Sequence, residues 1–201
     1  MWKTISVVAA AAGFIAGAAT SGSLWAGGHT TPPKFDPSLL DANLNAELTA
    51  TIDELAAKWN SQDYSTVLEM WDPDQEVPFY LAEEQADWFI GWEPLRDYLD
   101  PPQPNPMIEA MRLQPSNVRA KLIAPDLAIA VWDLKFEMKM RFQQPIGEEI
   151  RVSGVLRKKP EGWRFIQYAE SPKTAMVYLQ GLIAEQIEPD FLDFVESVKK
   201  Q

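Results

Sequence analysis

A chain of 201 residues that is 46% hydrophobic carries enough apolar material for one core, or for one domain with extensions. Its formal net charge is −11, and Lys3 is the only charged residue before Gly27. That argues against nucleic acid and against anionic lipid, both of which recruit clustered Lys and Arg. The absence of cysteine excludes disulfides, thiolate chemistry and a cysteine lipid anchor, and the single histidine, His29, sits in a Gly/Thr/Pro-rich stretch, so neither a Ser-His-Asp triad nor a multi-histidine metal centre is expected.

Residues 1–26 begin with one positive charge and continue uncharged. They fit a secretory signal, with Ser21-Gly22-Ser23 or Leu24-Trp25-Ala26 as candidate cleavage ends. They also fit a retained transmembrane anchor: the apolar run is long enough to span a bilayer, with Trp2 and Trp25 at the interfaces. In the anchored case Gly13 and Gly17 would form the face that packs against another helix. Both readings export the rest of the chain, either to the periplasm or to the outer side of the cytoplasmic membrane.

Residues 27–40 read as a linker. From Asp41, a natural N-cap, Leu44, Leu48, Ile52, Leu55 and Trp59 recur at helical spacing. Asp63 is placed to cap a second, short helix carrying Val67, Leu68 and Trp71, a strand is expected around Val77–Leu81, and a third helix after Gly91. The proline-rich run 101–106 is a stiff insertion. Four β segments follow, 113–123, 127–142, 149–158 and 163–169, separated by turn residues, which predicts an antiparallel meander. Helical spacing returns after Ser171. There Phe191, Phe194, Val195 and Val198 make an apolar stripe that either folds back on the domain or docks a partner.

These elements predict an α+β domain at 41–171, with N-terminal helices packed on a curved antiparallel sheet and a helical extension at 172–201. Their order, with AAKWNSQDYSTVLEMW, VPFY, IGWEPLRDYL, APDLAIAVWDLKF and RKKPEGWRFIQYAES, resembles the nuclear transport factor 2-like superfamily, nearest its SnoaL-like and ketosteroid-isomerase-like branches, over about residues 44–171. The resemblance implies a cone whose concave sheet face encloses a pocket. It also locates the isomerase's catalytic positions. The base position falls on Val77, with Glu76 one residue off, the acidic oxyanion donor at Gly154, and the helical tyrosine in Glu54-Leu55-Ala56, so all three roles are vacant.

In the second meander strand Trp132, Leu134, Phe136, Met138, Met140 and Phe142 alternate with Asp133, Lys135, Glu137, Lys139 and Arg141. The apolar side should line the cone and the charged side should pair across strands on the outside. In the last strand simple alternation puts Trp163, Phe165 and Gln167 on one face, with Ile166 and Tyr168 on the other. The pocket implied by the resemblance is lined by Trp59, Phe79, Trp88, Phe136, Met138, Val152 and Tyr168 and is expected to be free of paired acids. Histidines often found near this strand end in relatives are replaced by Gln167, Ala169 and Glu170.

Asp72, Asp74, Glu76 and Glu83 carry calcium-loop spacing, but Val77 stands where the turn needs glycine, so an Asx turn is the better reading and no metal or cofactor is expected. The expected function is an exported, non-catalytic module that binds an apolar small molecule or a protein. The alternatives are a SnoaL-like isomerase, cyclase or dehydratase on an apolar substrate, and an accessory subunit joined to a membrane complex through residues 1–26 or the C-terminal helix.

Overall fold

The computed structural model describes residues 35–103 and 105–199. The chain divides into two compact units, 1–37 and 38–201; the fold described here belongs to the second. Gly13 and Gly17 lie outside the described residues.

Helix α1, Ala42–Asn60, starts where Asp41 accepts the backbone N–H groups of Asn43 and Leu44 at 2.9 and 3.1 Å. Its buried stripe is Leu44, Leu48, Ile52, Leu55 and Ala56, the period expected for one face against a sheet. The next segment is a 3-10 helix, Tyr64–Met70. Asp63 does not cap its backbone; its carboxylate takes the Ser65 hydroxyl at 2.6 Å instead. Trp71 lies beyond that helix and forms a β-bridge with Phe165. Strands β1, Phe79–Leu81, and β2, Phe89–Ile90, precede helix α2, Trp92–Leu99, which begins at Gly91 with φ of 89°, a backbone that only glycine adopts freely.

The meander follows as β3, Ile108–Ala124, β4, Leu127–Met140, β5, Ile146–Lys159, and β6, Gly162–Pro172. The six strands are ordered β2-β1-β6-β5-β4-β3. The meander is antiparallel as expected, but β1 runs parallel to β6, pairing Tyr80 with Tyr168, so the sheet is mixed. The first meander strand begins five residues earlier than the apolar pattern suggests. Phe142 lies outside β4, at φ of 63° and 95% exposed, so the alternation ends at Met140.

The edge strand β3 is covered by amides rather than by another strand. Asn60 and Gln62 each exchange two hydrogen bonds with the backbone of Leu113 and Met111, and Asn45 takes the Ala120 N–H at 3.0 Å. These bonds satisfy groups that would otherwise invite edge pairing, and they fix α1 across the sheet.

The core lies between α1 and the inner sheet face: Ala128, Ala130, Trp132 and Leu134 of β4 and Ile150, Val152 and Leu156 of β5 are buried. The outer face carries cross-strand charge as expected, with Arg112 bound to Glu137 at 2.6 Å and Lys139 to Glu109 at 3.2 Å. Arg157 and Lys159 are exceptions, because they reach the fully buried Asp72 at 2.6 and 3.2 Å.

Strand β6 departs from simple alternation. Val155 pairs with Gln167 and Leu156 with Phe165, so Ile166 is an extra residue, a β-bulge. The bulge resets the parity. Trp163, Phe165 and Tyr168 are therefore all buried, and Gln167 pairs outward with Phe79. The two-faced division expected for this strand is wrong for that reason.

Helices α3, Ala175–Ala184, and α4, Phe191–Lys199, form the C-terminal extension.

Candidate functional site

Gly154 occupies the inner face where the resemblance locates an oxyanion donor. A Cβ there would lie 2.9 Å from the Phe165 ring and 3.3 Å from the Trp132 ring, so those aromatics fill the position. Tyr168 stands on Tyr80 in a stacked pair with centroids 5.1 Å apart, and meets Trp132 edge-on at 5.6 Å. Tyr80 in turn contacts Tyr98 of α2 at 5.3 Å, and Tyr98 stacks on Phe89 at 4.5 Å. This aromatic wall occupies much of the interior expected to be hollow.

Polar groups gather beside that wall. On β6, Glu170 stands two residues after Tyr168 and pairs with Val152, so it shares the inner face. On β5, Glu148 stands two residues before Ile150 and pairs with Phe136 of β4, which places it inside as well. Glu83 arrives from the loop after β1, and its backbone N–H donates to Glu170 Oε2 at 3.0 Å. The Tyr168 hydroxyl donates to Glu170, and the Tyr98 hydroxyl to Glu84 at 2.6 Å. Three carboxyl groups from three segments thus come together on the inner face, with Glu148 beside the half-buried Phe136. The expectation of a pocket free of paired acids is overturned.

The electrostatics follow from this convergence. Burial pushes the Glu170 carboxyl up to about 7, although the Glu83 N–H and the Tyr168 hydroxyl favour its charged form. Burial, with the charges of Glu148 and Glu170 beside it, also pushes Glu83 up to about 7. Glu83 Oε2 is buried with no hydrogen-bond partner, so a charge placed on it would be uncompensated. With its value raised to about 7, the Glu83 carboxyl is divided between its protonated and charged forms near neutral pH. Burial raises the Tyr80, Tyr98 and Tyr168 phenols well above their ordinary range, so they are hydrogen-bond donors and not bases.

The other nominated residues divide. Val152 and Tyr168 are buried on the inner face, and Trp59 is partly buried against Tyr64 at 5.4 Å. Phe79 and Trp88 do not line the interior, being 43% and 46% exposed. Phe79 precedes Tyr80 on β1, and the inward residue of that pair is the tyrosine. An open cleft of about 490 Å³ runs past Phe89, Pro94 and Tyr98, and a groove of about 340 Å³ on the outer face is lined by Arg119, Asp133, Arg151 and Ser153 among others.

The calcium-like spacing resolves as an Asx turn. Asp72 accepts the Asp74 N–H at 3.0 Å and binds Arg157 and Lys159. Burial alone would raise the Asp72 carboxyl, but the Asp74 N–H and the two cations together hold it below its ordinary value. Among the described residues no group of acids and histidines has the arrangement of a metal site.

The comparisons agree with this architecture. The chain is similar to a protein proposed to be a dehydratase of the NTF2-like family from Streptomyces avermitilis, with 14% identity over 66% of this chain and 99% of that one and a TM-score of 0.55. It is also similar to an NTF2-like superfamily protein from Salmonella enterica, with 17% identity, 66% and 92% coverage and a TM-score of 0.54. A third is a protein from Xanthomonas campestris proposed to be a calcium/calmodulin-dependent protein kinase II association domain, with 15% identity, 64% and 87% coverage and a TM-score of 0.53. At these identities the likeness concerns the fold. No curated protein sequence matches this chain. The model of the SnoaL-like domain matches residues 48–175, and that span contains the six strands, the aromatic wall and the three glutamates: the chain belongs to the SnoaL-like family.

Proposed function

We propose that this SnoaL-like domain performs acid–base chemistry on a small, largely apolar substrate, in the class of isomerisation or loss of water. The observation that carries the proposal is the convergence of Glu83, Glu148 and Glu170 on the inner face, with Glu148 beside Phe136. A carboxyl near 7 is divided between its two forms at neutral pH, which suits proton transfer in either direction. In the ionised form Glu170 takes a proton from a substrate carbon, and the electron pair left behind forms a double bond. The proton carried by Glu83 passes to the departing hydroxyl, which leaves as water, or to a second carbon in an isomerisation. Atoms and charge balance without a co-reactant. The Tyr168 hydroxyl keeps Glu170 in place, while Phe136 and Met138 offer apolar contact to the substrate body.

The test is exchange in heavy water. The protein is incubated with a panel of cyclic ketones and β-hydroxy carbonyl compounds, and deuterium uptake or water loss is read by mass spectrometry. Turnover of at least one member is expected, with Glu170→Gln lowering it by about a hundredfold or more. Exchange that persists unchanged in Glu170→Gln, or a panel that binds without exchanging, refutes the chemistry. Binding without exchange is the outcome that a non-catalytic ligand-binding module predicts.

Export is a separate proposal resting on residues 1–26. It expects the chain on the outer side of the cytoplasmic membrane, either cleaved near Ser23 or Ala26 or held there as an accessory subunit. The mature N-terminus, read together with membrane fractionation, distinguishes the cleaved from the anchored form, and an intact Met1 in the cytoplasmic fraction contradicts both.

A further inference from the structure

The C-terminal extension leaves its apolar side chains uncovered. Its ties to the domain lie at its start, where Lys173 pairs with Glu149 and the Tyr178 hydroxyl meets the Glu149 backbone N–H and carbonyl at 3.3 and 3.1 Å. Further on, the hydrogen bonds of residues 181–199 are internal to the segment among the described residues. Leu182 and Phe194 are each 60% exposed, and Ile183, Ile187, Phe191 and Val198 are exposed as well. In α4 the stripe Phe191, Phe194, Val195 and Val198 covers an arc of about 100°, the width of a helix face made to be buried. The stripe on α4, with the exposed apolar residues of α3 before it, is more than isolated exposed residues account for.

The charges beside it identify what fits. Glu185, Glu188, Asp190, Asp193 and Glu196 accompany the apolar residues, and the described cation of α4, Lys199, is already paired with Glu196 at 2.8 Å. A second copy of this surface would bring five acids against five. Anionic lipid would meet the same repulsion. An apolar stripe flanked by Lys and Arg satisfies both features at once: it covers the leucines and phenylalanines while the flanking cations meet the acids. We infer that residues 175–199 are a docking surface for a basic amphipathic helix of another protein. This inference is independent of any chemistry at Glu170.

The probe is a labelled 18-residue peptide with leucines at helical i, i+3, i+4 spacing and lysines elsewhere. Two controls accompany it: the same leucines with glutamates, and the same composition with the leucines scattered around the helix. Fluorescence anisotropy with the full chain is expected to show micromolar binding of the Leu/Lys peptide alone, weakened several-fold between 50 and 500 mM salt. Leu182→Ser with Phe194→Ser should reduce affinity about tenfold or more without altering charge. Equal binding by the double variant or by the scattered peptide means attraction to net charge alone and overturns the docking surface. Binding of the Leu/Glu peptide overturns the choice of partner, and failure of the Leu/Lys peptide to bind overturns the inference. So does self-association by sedimentation velocity, or attachment to phosphatidylcholine vesicles, that is lost in the double variant, because either assigns the surface to another occupant.

Discussion

Replacing Glu170 by glutamine removes one ionisable group while keeping its shape and an oxygen that accepts the Glu83 N–H, now 3.0 Å away. In the folded chain the carboxyl titrates at about 7, against an ordinary value of 4.5 once unfolded. Between those two values the unfolded chain has released the proton and the fold still holds it, so stability falls as pH rises, and the loss is complete above about 7. Glu170 is well shielded on the inner face, so the gap of 2.5 pH units has a ceiling of about 3 kcal/mol at 1.36 kcal/mol per unit. Glutamine cannot ionise and escapes this penalty. The stability difference between Glu170→Gln and the parent should therefore widen in favour of the variant by about 2–3 kcal/mol between pH 5 and pH 8. Glu83 also loses a repelling neighbour, which acts in the same direction. Urea unfolding at half-unit pH intervals measures it, as a relative midpoint shift of about 1 M for a domain of this size. Parallel curves for the two proteins would show that Glu170 titrates normally and would remove the electrostatic basis of the proposed chemistry.

Two further substitutions examine the scaffold. Gly154→Ala drives a methyl group to 2.9 Å from the Phe165 ring in the closed part of the core, and should cost about 1–3 kcal/mol, read as a fall of several degrees in Tm; an unchanged Tm contradicts the close approach. Asp72→Asn removes the charge between Arg157 and Lys159 and should cost about 2–3 kcal/mol at pH 7. Because the Asp72 carboxyl is held below its ordinary value, that cost should shrink as pH falls through the acid range, and a cost that is constant down to pH 2 refutes the ion pair as its source.

Much of the fold was legible because its signals are local. The Asp41 cap, the helical period of Leu44 to Leu55 and the turn residues between the meander strands each report on a few neighbours in the chain. The parallel pairing of β1 with β6 joins residues nearly ninety positions apart, and a three-residue strand has no period that declares a partner. Phe79 and Tyr80 are indistinguishable in sequence for the same reason: without knowing which face of so short a strand turns inward, either aromatic satisfies the pattern. The exposed C-terminal stripe was visible in the spacing of Phe191, Phe194 and Val198, but spacing does not say what covers it.

The three glutamates differ in how far they could be read. Glu148 lies on the parity of Val152, and Glu170 on the parity of Tyr168, but the strands expected at 149–158 and 163–169 each stop one residue short of the acid, so the period was not carried to either. Glu83 follows no period, since the loop after the short strand β1 delivers it. The bulge at Ile166 couples scaffold and site. Phe165 must point inward, because its ring fills the space left by Gly154, and Tyr168 must point inward to stack on Tyr80. These residues are three apart, and a regular strand cannot face both the same way. The inserted residue reconciles them, and Glu170, two positions past Tyr168, is carried onto the inner face beside Glu83. Without the extra residue a strand held by Phe165 would turn Glu170 out to water, where a carboxylate has its ordinary acidity and no proton to share. The irregularity that defeats simple alternation is thus the feature that brings the acids together.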